Sequence, residues 1–314
     1  MRHVRDLADL KLPATAVTIG SFDGVHLGHQ SLARALASTA KADGLPAVVL
    51  TFFPHPSVVL RSRRPAYYIT SPDEKAALLG ELGIDYVITQ PFDRALAAVH
   101  AEAFLGRLRS QLGMKHLCIG EDFALGHGRE GNRSFLEAAA PRFGYALHVL
   151  PPVLAGGEAV SSTRIREALS LGDVARAAAL LGRPFTVSGT VVRGAGRGRS
   201  LDIPTANLRI WEERATPTAG VYACVAEIES GRYKAVTNIG VRPTFEPGQD
   251  TPVVESHLLD FNGDLYGREM RLIFVDRLRD EKRFSGPQEL VQQIHSDIDR
   301  ARRILAGRPE VGDG

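Results

Sequence analysis

The chain has 314 residues, of which 44% are hydrophobic, and its formal net charge is +2. These values indicate a globular protein long enough for two domains, and they exclude a disordered chain, a collagen and a disulfide-stapled miniprotein. Because 38 basic residues nearly balance 36 acidic ones, no basic surface points to nucleic acid. No apolar run approaches the roughly 20 residues that span a bilayer, so we expect no membrane segment.

The compartment follows from the cysteines and the N-terminus. Cys118 and Cys224 lie far apart, each in an apolar run, which indicates buried free thiols in a reducing environment. The N-terminus alternates charged and apolar residues and lacks the apolar core of a signal peptide. We therefore expect a cytoplasmic protein whose partners are small molecules, and the sequence leaves the oligomeric state open.

Short apolar runs alternate with helical patterns from residue 14 to residue 180. Strands are predicted at residues 16–19, 47–53, 86–89, 116–119 and 146–150, and helices at residues 30–42, 101–112, 163–170 and 173–181. Ser71, Pro72 and Glu74 predict a further helix start with a capping box. This order predicts an α/β domain, residues 1–182, with a parallel sheet and helices on both faces.

The pattern changes after residues 182–184, which read Gly-Arg-Pro. Alternating or β-branched runs follow at residues 185–193, 221–229, 234–239, 253–259 and 270–275, separated by turns rich in glycine, proline and asparagine. One helical pattern closes the chain at residues 288–305, with Ser285 and Gln288 as its expected cap. We predict a second domain, residues 183–314, that is an antiparallel β-barrel with a terminal helix.

The first candidate site is the segment 20–29, GSFDGVHLGH, which joins the first strand to the first helix. In an open parallel sheet, ligands bind beyond the carboxyl ends of the strands, and a helix N-terminus there suits phosphate. His26 and His29 share one face of a helical turn, while Gly28 lets a ligand approach the backbone. The pair predicts a phosphate clamp; a zinc site and two unrelated surface histidines are the alternatives.

The segment 161–166, SSTRIR, opens a predicted helix and is a candidate second part of this site. Small hydroxyl side chains at a helix start cap the helix, and capping alone is the simplest interpretation of them. Arg164 and Arg166 add guanidinium groups that can clamp a polyphosphate.

Four segments occur in order along the first half: 20–29, 51–56 (TFFPHP), 120–131 and 161–166. Together they resemble the FMN adenylyltransferase module of prokaryotic FAD synthetases, which belongs to the nucleotidyltransferase superfamily and has a Rossmann-like sheet. The resemblance implies catalytic roles for His26, His29 and Arg166, and it implies that Asp122 and Phe123 lie in the flavin cleft. The residues expected to contact ATP and its phosphates are Gly20, Phe22, Asp23, Gly24, Gly28, Ser162, Thr163 and Arg164.

The second candidate site spans residues 189–208, where a loop rich in glycine and arginine leads into the sequence PTAN. Backbone N–H groups of such a loop can wrap phosphates, so Gly194, Gly196 and Arg199 are candidate ATP contacts. A solvated hairpin loop is the alternative interpretation, and the Gly-Lys-Ser/Thr ending of a Walker A motif is absent from the segment.

Thr205 and Asn207 belong to the PTAN sequence and alternate on an extended segment, so both are predicted to point to one side. Their hydroxyl and amide oxygens are hard ligands suited to Mg²⁺. The candidate site therefore combines a phosphate-binding loop with a metal position.

The loop with PTAN resembles the riboflavin kinase barrel, as do the segments 220–222, 237–245, 254–261 and 264–267. Asp202 stands where that family usually has glycine. Glu255, taken by itself, is a carboxylate at the rim of a strand that could form a surface ion pair. The resemblance implies instead that Glu255 is the base for the ribityl hydroxyl of the substrate. Arg279 and Arg283 are candidate flavin contacts, with ordinary surface charge as the alternative.

Both resemblances together imply a bifunctional enzyme. The barrel is expected to phosphorylate riboflavin to FMN with ATP and Mg²⁺, and the first domain to adenylylate FMN to FAD with release of pyrophosphate. The alternatives are an adenylyltransferase for another phosphate ester with an inactive barrel, and a regulator that binds flavin or nucleic acid on the same folds.

Overall fold

The computed structural model describes residues 1–61, 67–194, 203–242 and 251–308. The chain divides into two compact units. The first unit comprises Met1–Arg64 and Tyr68–Ser162, and the second comprises Pro65–Tyr67 and Thr163–Gly314. Within the described ranges, no helix is both long enough and apolar enough to cross a membrane.

A parallel sheet forms the centre of the first unit. Its strands are β1 (Arg2–Val4), β2 (Thr15–Ile19), β3 (Ala47–Phe53), β4 (Tyr86–Pro91), β5 (Met114–Gly120) and β6 (Ala146–Leu150). The described strands lie in the order β1-β4-β3-β2-β5-β6, and every neighbouring pair is parallel. A short hairpin of β7 (Leu154–Ala155) and β8 (Glu158–Ala159) follows. The predicted α/β class is confirmed.

The helices of the first unit are α1 (Leu27–Ala42), α2 (Pro56–Arg61), α3 (Pro72–Gly80), α4 (Arg94–Ala97), α5 (Ala101–Leu112) and α6 (Arg133–Phe143). Four of them, α1, α3, α5 and α6, cover the two faces of the sheet, as strands with continuous apolar sequences require. Leu36 of α1 and Leu79 of α3 share one apolar core with Val49 of β3. Leu105 of α5 and Leu136 of α6 belong to the core on the opposite face.

Strand β2 lies where the chain changes direction across the sheet, because β3 is on one side of it and β5 on the other. In open α/β sheets, a ligand crevice forms at such a point, beyond the carboxyl ends of the strands. The segment 20–29 leaves β2 at this edge and continues into α1. The fold therefore puts the predicted phosphate-binding segment at the position where this class of sheet binds ligands.

The second unit contains an antiparallel barrel with helices before and after it. Its strands are β9 (Phe185–Val192), β10 (Ala206–Ile210), β11 (Gly220–Ile228), β12 (Gly231–Arg242), β13 (Thr251–Leu258) and β14 (Glu269–Arg279). They close in the order β10-β13-β12-β11-β14-β9. Helices α7 (Ser162–Ser170) and α8 (Val174–Leu181) come before the barrel, and α9 (Pro287–Leu305) comes after it. The predicted barrel with a terminal helix is confirmed.

Alternate residues of a barrel strand point inward and outward. Val221 and Ala223 of β11 share an apolar cluster with Ala301 and Leu305 of α9, so the terminal helix packs on the outer face of this strand. Cys224 has the opposite orientation on the same strand and is fully buried. The barrel thus has an internal core and a second core beneath α9.

Helix α8 packs against β9 and β14 and buries Val174, Ala177, Leu180 and Leu181. For this reason the two helices before the barrel belong to the compact second unit, although the sequence pattern assigns them to the first domain. The predicted domain boundary at residue 182 stays a prediction.

Several local features differ from the predicted pattern. The pattern omits β1, the barrel strand β10, the β7–β8 hairpin and the helices α2, α4 and α6. The expected cap of the terminal helix by Ser285 and Gln288 is wrong. Helix α9 has Gly286 as its N-cap, while the backbone N and Oγ of Ser285 both donate to the Glu289 carboxylate at 2.9 Å. Serine serves here as a donor to a side chain of the first turn, which leaves the cap to glycine.

Both cysteines are free and buried, as predicted. Burial raises the pKa of Cys118 to about 11 and that of Cys224 to about 12. Each thiol is therefore protonated and unreactive at neutral pH.

Candidate active sites

The loop between β2 and α1 is held in an unusual backbone conformation. Phe22 and Val25 have φ angles of 48° and 40°, and Gly24 has a φ of 82°. Left-handed backbone is unfavourable for a β-branched residue such as Val25, so the surrounding structure must enforce it. The side chains of Phe22 and Val25 are each 1% exposed, and this burial anchors the loop.

Asp23 ties this loop to the segment that precedes α3. Its carboxylate is fully buried and accepts hydrogen bonds from the backbone N–H groups of Ile69 and Thr70 at 3.0 and 3.1 Å. The backbone N of Gly24 donates to Thr70 Oγ1 at 3.0 Å. Asp23 therefore shapes the loop from within, and its expected contact with phosphate stays a prediction.

His26 and His29 form a stacked pair at the start of α1. His26 is the N-cap residue, and its Nδ1 accepts a hydrogen bond from the backbone N of His29 at 3.3 Å. The two ring centroids are 3.6 Å apart and the ring planes differ by 19°. A Cβ at Gly28 would lie 3.2 Å from the His26 ring, so a side chain there would crowd the stack. The predicted shared face of the two histidines is present in the structure.

The imidazole of His29 is poised to receive a hydrogen-bonding ligand. Its Nδ1 is buried and has no hydrogen-bond partner among the described residues. Burial, followed by the charges of His26, Lys75 and His55, lowers the pKa of His29 well below its ordinary value. His29 is therefore neutral at physiological pH in the ligand-free protein.

The first residue of α7 reaches the same loop, because Ser162 Oγ donates to the backbone carbonyl of Asp23 at 2.9 Å. The following residues belong to the second unit, where the Arg166 guanidinium carbon lies 3.8 Å from the centre of the Tyr67 ring. Arg166 Nε also donates to the Tyr67 carbonyl at 2.8 Å. The expected phosphate contacts of Thr163, Arg164 and Arg166 stay predictions.

The segment 120–131 folds back on itself. Leu125 and Gly131 exchange backbone hydrogen bonds of 3.1 and 2.9 Å. Arg129 Nη2 donates to the carbonyl of Asp122 at 2.8 Å, and Phe123 packs against the core on the α5 face. These contacts fix the loop after β5, and the flavin contacts expected of Asp122 and Phe123 stay predictions.

Lys75 is a candidate functional residue that the sequence pattern does not single out. It lies in the first turn of α3 with 3% of its surface exposed. Its Nζ donates to the Ser21 carbonyl at 2.8 Å and to Thr51 Oγ1 at 3.1 Å. The sequence does contain one signal that Lys75 is buried. Lys75 lies one helical turn before Leu79, on the face of α3 that must be buried.

In the second unit, Glu255 lies between two asparagines on neighbouring strands. Strand pairing puts Asn207 of β10 and Asn238 of β12 directly opposite Glu255 of β13. Residues directly opposite in a sheet point to the same side, so the three side chains form a polar row. All three are partly exposed, which distinguishes them from the buried Val254 and Ser256 beside Glu255. Strand register therefore brings together two predicted site residues, Asn207 and Glu255, and adds Asn238 to the candidate site.

Glu281 approaches this row from the segment after β14. A Cβ at Gly240 would lie 2.9 Å from Glu281 Oε1 and 3.5 Å from Asn238 Nδ2, so both groups lie close to the same backbone position. The sequence pattern does not mark Glu281, because its proximity depends on how the chain returns across β12.

Thr205 lines a cavity of about 630 Å³ at one end of the barrel. The corner before it is fixed by His257 Nδ1, which lies 2.8 Å from the carbonyl of Pro204. Other described residues that line the cavity include Arg193, Asp264 and Tyr266. The volume falls in the range of cavities that hold small-molecule ligands.

Asn207 lies against Gly194, where a Cβ would overlap the Asn207 amide. Glycine is therefore required at the point where the predicted phosphate-binding loop leaves β9. Gly196 and Arg199 of that loop, and Asp202, lie outside the described residues. Across the described ranges, no group of three or more His, Cys, Asp or Glu side chains could hold a metal ion.

The two arginines predicted to contact flavin have different surroundings. Arg279 Nη2 forms an ion pair of 2.9 Å with Asp297 of α9, whose side chain is 6% exposed. Arg283 is exposed. The contacts of Arg279 fasten α9 to the barrel, and flavin contacts of either arginine stay predictions.

Similarity to characterised families extends over both units. A family model described as FAD synthetase matches residues 9–164, and one described as riboflavin kinase matches residues 181–305. A protein of Escherichia coli (strain K12), named bifunctional riboflavin kinase/FMN adenylyltransferase, is 36% identical over 307 residues, which are 97% of this chain and 97% of that protein. A Pseudomonas fluorescens protein of the same name is 37% identical over 309 residues, 98% of each.

Among solved structures, a crystal structure described as a macrolide-efflux protein from Streptococcus pneumoniae has a TM-score of 0.87 and 32% sequence identity. The similarity covers 96% of this chain and 98% of that one. The efflux activity in that description applies to that protein and is not carried over to this chain.

Proposed function

This chain belongs to the family of bifunctional riboflavin kinase/FMN adenylyltransferases, and we infer from this premise that each unit carries one of the two activities. The second unit transfers the γ-phosphoryl group of ATP to riboflavin and forms FMN. The first unit joins FMN to the adenylyl group of ATP and forms FAD and pyrophosphate. The observation that carries this division is that one family model matches each half of the chain.

Adenylylation requires an oxygen of the FMN phosphate to attack the α-phosphorus of ATP while pyrophosphate leaves. No covalent enzyme intermediate is needed, so catalysis depends on positioning and on stabilising charge on the phosphates. His26 and His29, at the N-terminus of α1, are proposed to contact those phosphates. The neutral His29 ring donates a hydrogen bond as negative charge develops, and the strained loop from Phe22 to Val25 holds the pair in place.

Four residues at the start of α7 are proposed as further contacts for ATP. Ser162, Thr163, Arg164 and Arg166 would contact the phosphates of ATP, with Arg166 stabilising the charge of the leaving pyrophosphate. Ser162 supports this proposal because it is hydrogen-bonded to the loop that carries the histidines.

Riboflavin phosphorylation requires removal of a proton from the ribityl hydroxyl as the γ-phosphoryl group is transferred. Glu255 is proposed as the base, and Asn207 and Asn238 flank it with neutral side chains that can orient the hydroxyl. The cavity beside Thr205 has the size for the nucleotide. Gly194, Gly196 and Arg199 would contact its phosphates.

The chemistry of Thr205 and Asn207 fits Mg²⁺, because a hydroxyl and an amide oxygen are hard ligands and the absence of a side chain at Gly194 leaves room for the Asn207 amide. These two residues would hold the ion. Bound Mg²⁺ supplies positive charge that offsets the charge of the transferred phosphoryl group.

Two buried free cysteines and nearly balanced charge support a cytoplasmic enzyme that acts on small molecules and not on nucleic acid. An adenylyltransferase for another phosphate ester, with an inactive barrel, is the second candidate, because the riboflavin kinase family usually has glycine where Asp202 stands. The polar row around Glu255 favours an active barrel.

Two incubations test the proposal. The full chain is mixed with ATP, Mg²⁺ and either riboflavin or FMN, and the flavins are separated by chromatography over time. From riboflavin we expect FMN first and FAD later, from FMN we expect FAD, and we expect no product without ATP. FAD formed only from supplied FMN would establish an inactive barrel, and formation of neither product would refute both activities.

A further inference from the structure

Lys75 brings a positive charge to the interior of the first unit, at the edge of the sheet where the nucleotide is proposed to bind. Its two hydrogen-bond acceptors lie at the ends of adjacent strands. Ser21 comes two residues after β2, and Thr51 lies near the end of β3. Thr51 Oγ1 itself donates to the Ser21 carbonyl at 2.9 Å. The ammonium group therefore fastens the first peptide of the loop that carries Asp23, His26 and His29.

No carboxylate of the described residues forms an ion pair with Lys75 at 4.0 Å or less. The nearby Asp23 is hydrogen-bonded to Ile69 and Thr70. Burying an unpaired ammonium is unfavourable, and an apolar side chain of similar length would fill the same volume without that cost. An ammonium group at such a position is better explained by a ligand that completes its neutralisation than by stability.

Resting on the proposed adenylylation in this unit, we propose that Lys75 is a positioning residue for the polyphosphate of ATP. Its ammonium holds the Ser21 carbonyl and the Thr51 hydroxyl so that the loop is ordered before ATP arrives. The charge of Lys75 has no carboxylate partner among the described residues. It attracts the phosphates that His26 and His29 are proposed to bind. The proposed site therefore includes Lys75 of α3 in addition to His26 and His29.

The titration of Lys75 provides an independent signature. Burial lowers the pKa of Lys75 to about 8, and Asp23 opposes part of this shift. The protonated, charged form of Lys75 is the active one. The value of kcat/KM for FAD formation should therefore be highest below pH 8 and should decline as the pH rises through about 8. The other titratable groups near this position are His26, His29 and His55, and the pKa of His29 is lowered, so its titration falls below this range.

The test compares Lys75→Met with Lys115→Met in the full chain, since Lys115 is an exposed lysine of the same unit. FAD formation is measured from supplied FMN and Mg-ATP, and riboflavin phosphorylation is measured in the same samples. We expect Lys75→Met to lower kcat/KM for FAD formation about 10- to 100-fold, the size of a lost hydrogen bond from a charged group. Lys115→Met and the phosphorylation rate should be unchanged.

Thermal unfolding separates positioning from a structural role. Removal of an unpaired buried charge should leave the melting temperature of Lys75→Met unchanged or raised, whereas a structural lysine would lower it. The decline above pH 8 should vanish in Lys75→Met, and Lys75→Arg, which keeps the charge, should restore part of the rate. The role of Lys75 would be refuted if the wild type forms FAD and Lys75→Met has the same kcat/KM. It would also be refuted if Lys75→Met loses activity only because its melting temperature is lowered. Absence of FAD formation by the wild type would instead refute the proposed function.

Discussion

In the first unit the candidate site is a loop whose shape depends on buried polar groups, whereas in the second it is a row of side chains on regular strands. In the first site, the buried side chains of Asp23 and Lys75 form hydrogen bonds that fix the loop. Residues with left-handed backbone lie within this loop. Asn207, Glu255 and Asn238 need only correct strand register to become neighbours. The loop is ordered at the cost of strain and buried charge, whereas the row follows directly from forming the barrel.

The largest expected effect concerns how independent the barrel is. A fragment of residues 183–314 should fold and form FMN, because the strands and the terminal helix supply their own core. Compared with a fragment of residues 163–314 it loses α7 and α8, and burial of Val174, Leu180 and Leu181 of α8 contributes roughly 4–9 kcal/mol as an upper bound. The difference is measured by urea unfolding, followed by the fluorescence of the single tryptophan, Trp211.

Equal stability of the two fragments would show that α8 does not support the barrel. A folded but inactive 183–314 fragment would show that the kinase site takes residues from the first half of the chain.

The ion pair beneath α9 should have the next largest effect. Asp297→Ala leaves Arg279 without its partner, and breaking a buried pair of this kind costs about 3–5 kcal/mol. Asp260→Asn is the matched control, because the Asp260–Arg302 pair is exposed and should contribute at most about 1 kcal/mol, while asparagine tolerates the φ of 60° at this position. Tryptophan fluorescence during urea unfolding measures both. Similar losses in the two variants would contradict a special role for the buried pair.

His29→Ala tests the loop-based site. Loss of one donor that acts in the transition state should lower FAD formation from FMN about 10²–10³-fold. Riboflavin phosphorylation should remain at the wild-type rate, because that site belongs to the other unit. His100→Ala, which changes an exposed histidine of the same unit, is the control. Wild-type FAD formation by a folded His29→Ala protein would remove this histidine from the mechanism.

Glu255→Gln tests the strand-based site and should have the smallest of these effects. Loss of a general base costs about 10²–10⁴-fold, and the loose transition state of phosphoryl transfer favours the lower end, about 10². FMN formation is measured at saturating riboflavin and Mg-ATP, beside FAD formation from supplied FMN, which should not change. Glu229→Gln, on the exposed surface of the same unit, is the control. Near-normal FMN formation by Glu255→Gln would assign Glu255 to ordinary surface charge.

The predictable parts of the fold are those that local sequence determines. The strand at Ala47–Phe53 is an apolar run between two prolines, and the capping box of Ser71 and Glu74 needs only four residues. Helix α6 is less recognisable because Pro141 lies inside its last turn, and β1 has only three residues. Short elements depend on their neighbours in space, which the sequence does not list.

The same distinction applies to the sites. His26 and His29 are predictable as a pair because they are three positions apart, which puts both on one face of a helical turn. Lys75 is not, because its importance arises where α3 crosses the ends of β2 and β3. Thr205 precedes β10, which begins at Ala206, so strand alternation alone does not determine its direction.

The three-residue strand β1 also determines how the open sheet ends. A closed barrel has no free strand edges, but a parallel sheet presents its outermost backbone N–H and C=O groups to any strand that can pair with them. Strand β1 covers the edge of β4, whose Val87 and Ile88 are fully buried. Its short length and its charged first residue, Arg2, make a poor template for another chain. Removal of these few residues would expose a longer and more apolar strand, which favours self-association of the protein.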